Sequence, residues 1–89
     1  MSVTNNQDRA RFELEESGET AYADYGLKDG VLSIKYVYAP ESLRGSGAAG
    51  RLMEGVVAHA KDSDLKIIPI CGYAVSWLRR HPEHAGLLA

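Results

Sequence analysis

From Ala10 onward apolar and polar residues alternate. Phe12 and Leu14 point one way and Arg11, Glu13 and Glu15 the other, the pattern of a half-buried strand. Glu16-Ser17-Gly18-Glu19 supplies a turn. A second alternation places Ala21, Ala23, Tyr25 and Leu27 on one face. Asp29-Gly30 then marks a two-residue reversal of type I′, which needs positive φ at both central positions. The third strand is Val31 to Tyr38, with Leu32, Ile34, Tyr36 and Tyr38 on the core face and Ser33 and Lys35 opposite. These three strands predict an antiparallel meander. Pro40 ends the ladder, because it has no N–H to donate. Beyond a glycine-rich loop the period becomes helical. Leu52, Met53, Val56, Val57 and Ala60 predict a helix from about Ser46 to Lys61. Leu65 to Ile70 is a short, mostly apolar run that predicts a buried strand. A right-handed crossover makes that strand parallel to the third. A last helix is expected over about Gly72 to Arg80, with Ala74, Trp77, Leu78 and His81 on one side and Pro82 stopping it. Residues 1–9 are polar and expected to be flexible, and residues 10–89 to form one domain. The fold class is α+β in the order β-β-β-α-β-α: a mostly antiparallel sheet of about four strands with two helices against it.

The informative stretch lies between the third strand and the first helix. Gly45-Ser46-Gly47-Ala48-Ala49-Gly50 matches G-x-G-x-x-G in letters. In a dinucleotide fold the first glycine follows its strand directly, and an acidic residue stands about 20 positions on. Here Pro40 and several other residues intervene and the acid is missing. A P-loop fails because no G-K-[ST] follows. What remains is a glycine loop opening a helix, where backbone N–H groups and the helix dipole together attract phosphate.

Arg44-Gly45-Ser46-Gly47-Ala48-Ala49 also fits [Q/R]-x-x-G-x-[G/A] after a strand and at the start of a helix. This resembles the acetyl-CoA signature of the GNAT superfamily of N-acetyltransferases. Ile68-Pro69-Ile70-Cys71, followed by Trp77-Leu78-Arg79-Arg80-His81-Pro82-Glu83, is similar to a minimal, stand-alone branch of it. The resemblance spans about residues 10–85 and implies a GNAT-like fold, acetyl-CoA as cofactor and an amine as acceptor. It implies that the amides of Gly45, Ser46, Gly47, Ala48 and Ala49 wrap a pyrophosphate, with Arg44 fixing the loop. It also implies that the pantetheine arm pairs with Val37, Tyr38 and Ala39, and that the third and last strands splay apart there. Alanines stand at 48 and 49 where a bulky aliphatic and a glycine are common. The tyrosine that often protonates the departing thiolate is replaced by Trp77, whose indole is a poor acid.

Two residues lead the candidates for the chemistry. Cys71 falls where a strand ends and a helix begins, a position that favours the reactive thiolate. It is a carrier of acetyl, an acid, or a small core thiol. Tyr73 is a second acid candidate or a half-buried aromatic. Glu41 is a base through water, or simply favours the following helix. Arg79 and Arg80 suit a helix C-terminus. His59, His81 and His84 have no ligand spacing with Cys71, so no metal is expected.

Composition narrows the partners. The 89 residues carry a formal charge of −2, which argues against nucleic acid. No apolar run approaches the roughly 20 residues of a membrane span, and the polar start lacks a signal-peptide core. A single cysteine excludes an internal disulfide, and a cytoplasmic location is expected. The expected assembly is a monomer or weak homodimer. A non-catalytic CoA-binding or interaction module is the rival to an acetyltransferase.

Overall fold

The computed structural model describes residues 3–89. Five strands form one sheet in the order β1-β2-β3-β4-β5: β1 (Thr4–Asn6), β2 (Arg11–Glu16), β3 (Glu19–Lys28), β4 (Val31–Tyr38) and β5 (Lys66–Pro69). The first four pair antiparallel and β5 runs parallel to β4. Helices α1 (Ala48–Asp62) and α2 (Gly72–Arg79) pack on one face. The β-β-β-α-β-α order is as expected, with one strand added at the front. Residues 1–9, expected to be flexible, contain that edge strand and a 3-10 turn over Gln7–Arg9. Asn5 Oδ1 accepts from the Tyr25 hydroxyl at 2.8 Å, and Asn6 donates to Glu13 at 3.3 Å.

Local chemistry accounts for the meander. Asp29 and Gly30 both take positive φ (54° and 77°), as a type I′ turn requires. Ser17 and Gly18 repeat the arrangement one hairpin earlier. On the helix side Phe12, Leu14, Ala21, Ala23, Tyr25, Leu32, Ile34 and Ile67 are buried. They meet Leu52, Met53, Val56, Val57 and Ala60 of α1, the stripe that the helical period picked out. Ala74, Trp77 and Leu78 of α2 complete the core. Each fully buried Leu, Met or Val of α1 contributes about 1.5–3 kcal/mol.

The expected face assignment of β4 fails beyond Ile34. Tyr25 pairs with Ile34 but Asp24 pairs with Tyr36, so β4 carries one extra residue, a β-bulge at Lys35. Each residue after the bulge changes face. Tyr36 is 50% exposed, and Tyr36 and Tyr38 join Tyr22 on the helix-free face, with ring centroids 6.4 and 5.2 Å from it. Val37 and Ala39 turn inward and pack against the core. The short strand β5 also differs from a strand buried on both faces. Ile67 is buried, but Ile68 is 41% exposed because no helix covers the second face. Leu27, expected with the core, is 57% exposed beside the β3–β4 turn.

Val31 to Ile34 pair with Lys66 to Pro69. The ladder stops where the N–H groups of Ile70 and Cys71 both donate to the Ile34 carbonyl, at 2.9 and 3.1 Å. Past that fork, β4 has no partner on its β5 side among the described residues. The C-terminal tail folds into a 3-10 helix over Pro82–Leu87, and Ala89 N–H donates to Ile67 O at 3.0 Å, covering the far edge of β5.

Candidate acetyl-transfer site

Pro40 releases the chain from the sheet, and a 3-10 turn over Glu41–Leu43 drops Leu43 into the core. Arg44 returns the loop to the strand: its Nε donates to the Ala39 carbonyl at 2.9 Å, and its guanidinium lies 6.0 Å from the Tyr38 ring centroid. Gly45 and Gly47 take φ of 84° and 87°, where a side chain would strain the backbone. Gly47 is the N-cap of α1 and offers no side chain to its first turn. Among the described residues, the N–H groups of Gly45, Gly47, Ala48, Ala49 and Gly50 have no hydrogen-bond acceptor. Ser46 is different. Its N–H donates to Leu43 O at 3.2 Å and its hydroxyl bonds the same carbonyl. The expected unbroken run from Gly45 to Ala49 is therefore interrupted at Ser46 and extended to Gly50.

These amides stand over a cleft of about 420 Å³ lined by Val37, Ala39, Leu43, Arg44, Gly45, Gly47, Ala48, Ala49, Gly50 and Tyr73. Most of the residues singled out in the sequence meet here. Three do not line it. Tyr38 faces the opposite side of the sheet because of the bulge, Ser46 is engaged within the loop, and Cys71 is the N-cap of α2, two residues before Tyr73. Leu43 and Gly50 were not anticipated. Gly50 ends the quoted glycine motif, whereas Leu43 stands one residue before Arg44, and a lone buried Leu in a 3-10 turn carries no periodic signal.

Arg51 fixes the loop from behind. It grips Glu16 with two bonds, Nε to Oε2 at 2.9 Å and Nη2 to Oε1 at 2.7 Å, and Nη1 donates to Ser46 O at 3.0 Å. The hydrogen bonds from Arg51 hold the Glu16 carboxyl below its usual range. The glycine loop is thus tied to the end of β2 by a charge-assisted fork.

Helix α2 supplies the cleft's one titratable hydroxyl. Burial pushes the Tyr73 phenol up, against a smaller opposing effect of Arg80, so it keeps its proton at neutral pH. Trp77, one turn on, is 3% exposed and lies behind α1, with its indole nitrogen near Gly50. It stacks on His81 at 3.8 Å between centroids. Cys71 is the N-cap of α2, half-buried against the core. Arg80 bonds Ser76 of its own helix at 2.8 Å, and Arg79 is exposed. His59 packs edge-on against Phe12. Among the described residues no group of three His, Cys, Asp or Glu side chains could hold a metal, and no helix is long and apolar enough to cross a membrane.

A splayed parallel pair with a glycine-opened helix in the fork is the architecture of an acetyltransferase domain. Residues 11–87 match the family of GCN5-related N-acetyl-transferases, and the chain belongs to that family. Membership makes it an acetyltransferase. The NMR solution structure of a GCN5-like protein from Staphylococcus aureus is similar in fold, with a TM-score of 0.71 and 20% identity over 99% of this chain and 87% of that one. No curated protein matches the sequence.

Proposed function

We propose that the cleft seats acetyl-CoA and that the chain transfers its acetyl group to an amine. The observation that carries this is the set of five unpartnered amides at Gly45, Gly47, Ala48, Ala49 and Gly50. The first N–H groups of a helix have no intrahelical acceptor, and such a set extended by a glycine loop suits a pyrophosphate. The edge of β4 from Tyr36 to Tyr38, unpaired among the described residues, suits the amide-bearing pantetheine arm, which would add to it as a strand. In the reaction the neutral amine nitrogen bonds the thioester carbonyl carbon, the carbon–sulfur bond breaks toward sulfur, the amine loses a proton to solvent and the sulfur gains one.

We assign that proton to Tyr73. It lines the cleft and is protonated at neutral pH, and solvent can restore it. Cys71 lies outside the lining, so we assign it to packing at the start of α2 rather than to an acetyl relay. Calorimetry with CoA, followed by thiol release from acetyl-CoA over an amine panel, tests the reading. Tight binding and amine-dependent thiol release are expected, with Cys71→Ala retaining turnover. Binding without thiol release would instead favour a non-catalytic CoA module. Acetylated Cys71 in the intact-protein mass would restore the relay.

A further inference from the structure

The helix-free face of the sheet holds a second concavity, about 570 Å³, whose lining includes Leu27, Ile68 and Ile70 together with Lys28 and Lys35. Three of the five exposed large hydrophobics among the described residues are here, and Ile70 is 59% exposed. A cluster of exposed apolar side chains in one groove marks a binding surface more often than chance exposure does. Its position has meaning for the reaction. Ile70 stands at the fork where β4 and β5 part, so the groove leads to the same opening that the cleft approaches from the helix side. Lys35 is the bulged residue at that fork. Its Cε and Nζ lie 3.1 and 3.4 Å from where a β-carbon at Gly26 would stand, so the absent side chain of Gly26 gives the lysine a bed along the groove floor. Neither Lys28 nor Lys35 forms an ion pair among the described residues, and Asp29 at the turn is the single carboxylate in the lining.

We infer that this groove is the acceptor site and that it takes an amine carrying both an apolar group and a carboxylate, such as an apolar amino acid or a short peptide. The inference rests on the cleft being the acetyl-CoA seat. Ile68, Ile70 and Leu27 take the apolar group, and the two lysines hold the carboxylate while the amine reaches the fork. Polyamines and lysine-rich segments meet like charge there, which disfavours them.

The test is a titration of isotope-labelled protein with N-acetylleucine, which has the acetyl group, the apolar side chain and the carboxylate of such a product. N-acetylleucinamide is the uncharged control. The acid shifts the amide resonances of Gly26, Lys35, Ile68 and Ile70, and the amide binds roughly tenfold more weakly. Lys35→Glu, on an exposed position, weakens the acid by at least about tenfold and leaves the amide unchanged. Equal affinity for acid and amide, or no shifts in the groove, overturns the inference. So do groove shifts that follow protein concentration alone, which would show a second copy seated there. The titration needs no CoA. A chain that binds N-acetylleucine here but fails to bind CoA sinks the proposed function, whereas CoA binding with a silent groove sinks only the acceptor assignment.

Discussion

Val31 to Ile34, the first half of β4, is hydrogen-bonded along both edges, to β3 and to β5, whereas Tyr36 to Tyr38 keeps only β3. A single inserted residue at Lys35 separates the two halves. Before it, side chains Leu32 and Ile34 build the core and the backbone is fully paired. After it, the backbone edge is open, tyrosines face the helix-free side, and Val37 and Ala39 line the cleft. One strand therefore serves stability in one half and access in the other. The bulge is the device that lets both coexist, because it turns a continuous ladder into a fork without breaking the strand.

Substitutions in the paired half should therefore strike stability hardest. Ile34 is fully buried at the fork, and Ile34→Ala is expected to cost about 2–5 kcal/mol in denaturant unfolding. Val37→Ala, in the open half, should cost clearly less. Equal costs would mean that the two halves do not differ as described. On the catalytic side Tyr73→Phe should lower kcat roughly a hundredfold or more while leaving CoA affinity unchanged. Because burial raises the Tyr73 phenol, its proton is retained below the ordinary tyrosine range and lost only above it. Any alkaline fall in rate caused by Tyr73 therefore lies beyond that range, which a pH–rate profile would read. An unchanged kcat would remove Tyr73 as the proton donor.

The loop at the head of the open half gives a smaller effect. Gly47→Val forces a branched side chain to φ near 87°, costing about 1–2 kcal/mol, and should weaken CoA by about tenfold. Gly50→Val is not equivalent. Gly50 has negative φ, and its β-carbon would meet Trp77 Nε1 at 3.5 Å, an ordinary contact. The more distant branches of valine there test packing of α1 on α2 rather than backbone strain. Calorimetry on the two variants separates the contributions.

The two halves of β4 were not equally legible. Strict alternation revealed β2, β3 and the paired half of β4, since one buried face imposes a period of two. The bulge leaves no mark in composition. Tyr36 and Tyr38 continue the apolar parity of Leu32 and Ile34, so the sequence placed them on the wrong face. Only the pairing of Asp24 with Tyr36 exposes the shift. The glycine loop was legible because few residues tolerate its backbone, whereas the bond from Arg44 back to the Ala39 carbonyl was not read from the sequence. The strand Thr4–Asn6 was not, because its polar residues have no period; it is held by a bond that Tyr25 donates to Asn5 and one that Glu13 accepts from Asn6. Its approach to α1 is close as well. A β-carbon at Gly55 would collide with Val3, so glycine there marks a contact invisible to helix periodicity. Likewise Cys71 read as a reactive position from its place in the chain, while the geometry puts Tyr73 in the cleft.

The Arg51 fork offers the finest test of the open half, because it acts on the loop without lining the cleft. Glu16→Gln removes the charge and leaves a hydrogen-bond acceptor for Arg51, so the loop should loosen without collapsing. CoA affinity is expected to fall roughly two- to fivefold, the scale of a partly exposed ion pair. The same link predicts a pH dependence. A carboxyl held below its usual range by a partner contributes stability that is present above the ordinary carboxylate range and is lost as pH falls through the lowered value. Wild-type CoA affinity should thus be insensitive to Glu16 through neutral and mildly acidic pH, then decline in strong acid. The Glu16→Gln variant, having no proton to gain, should lack that share of the decline. If the two acid profiles superimpose, Arg51 holds the loop through Ser46 alone and Glu16 has no part in it.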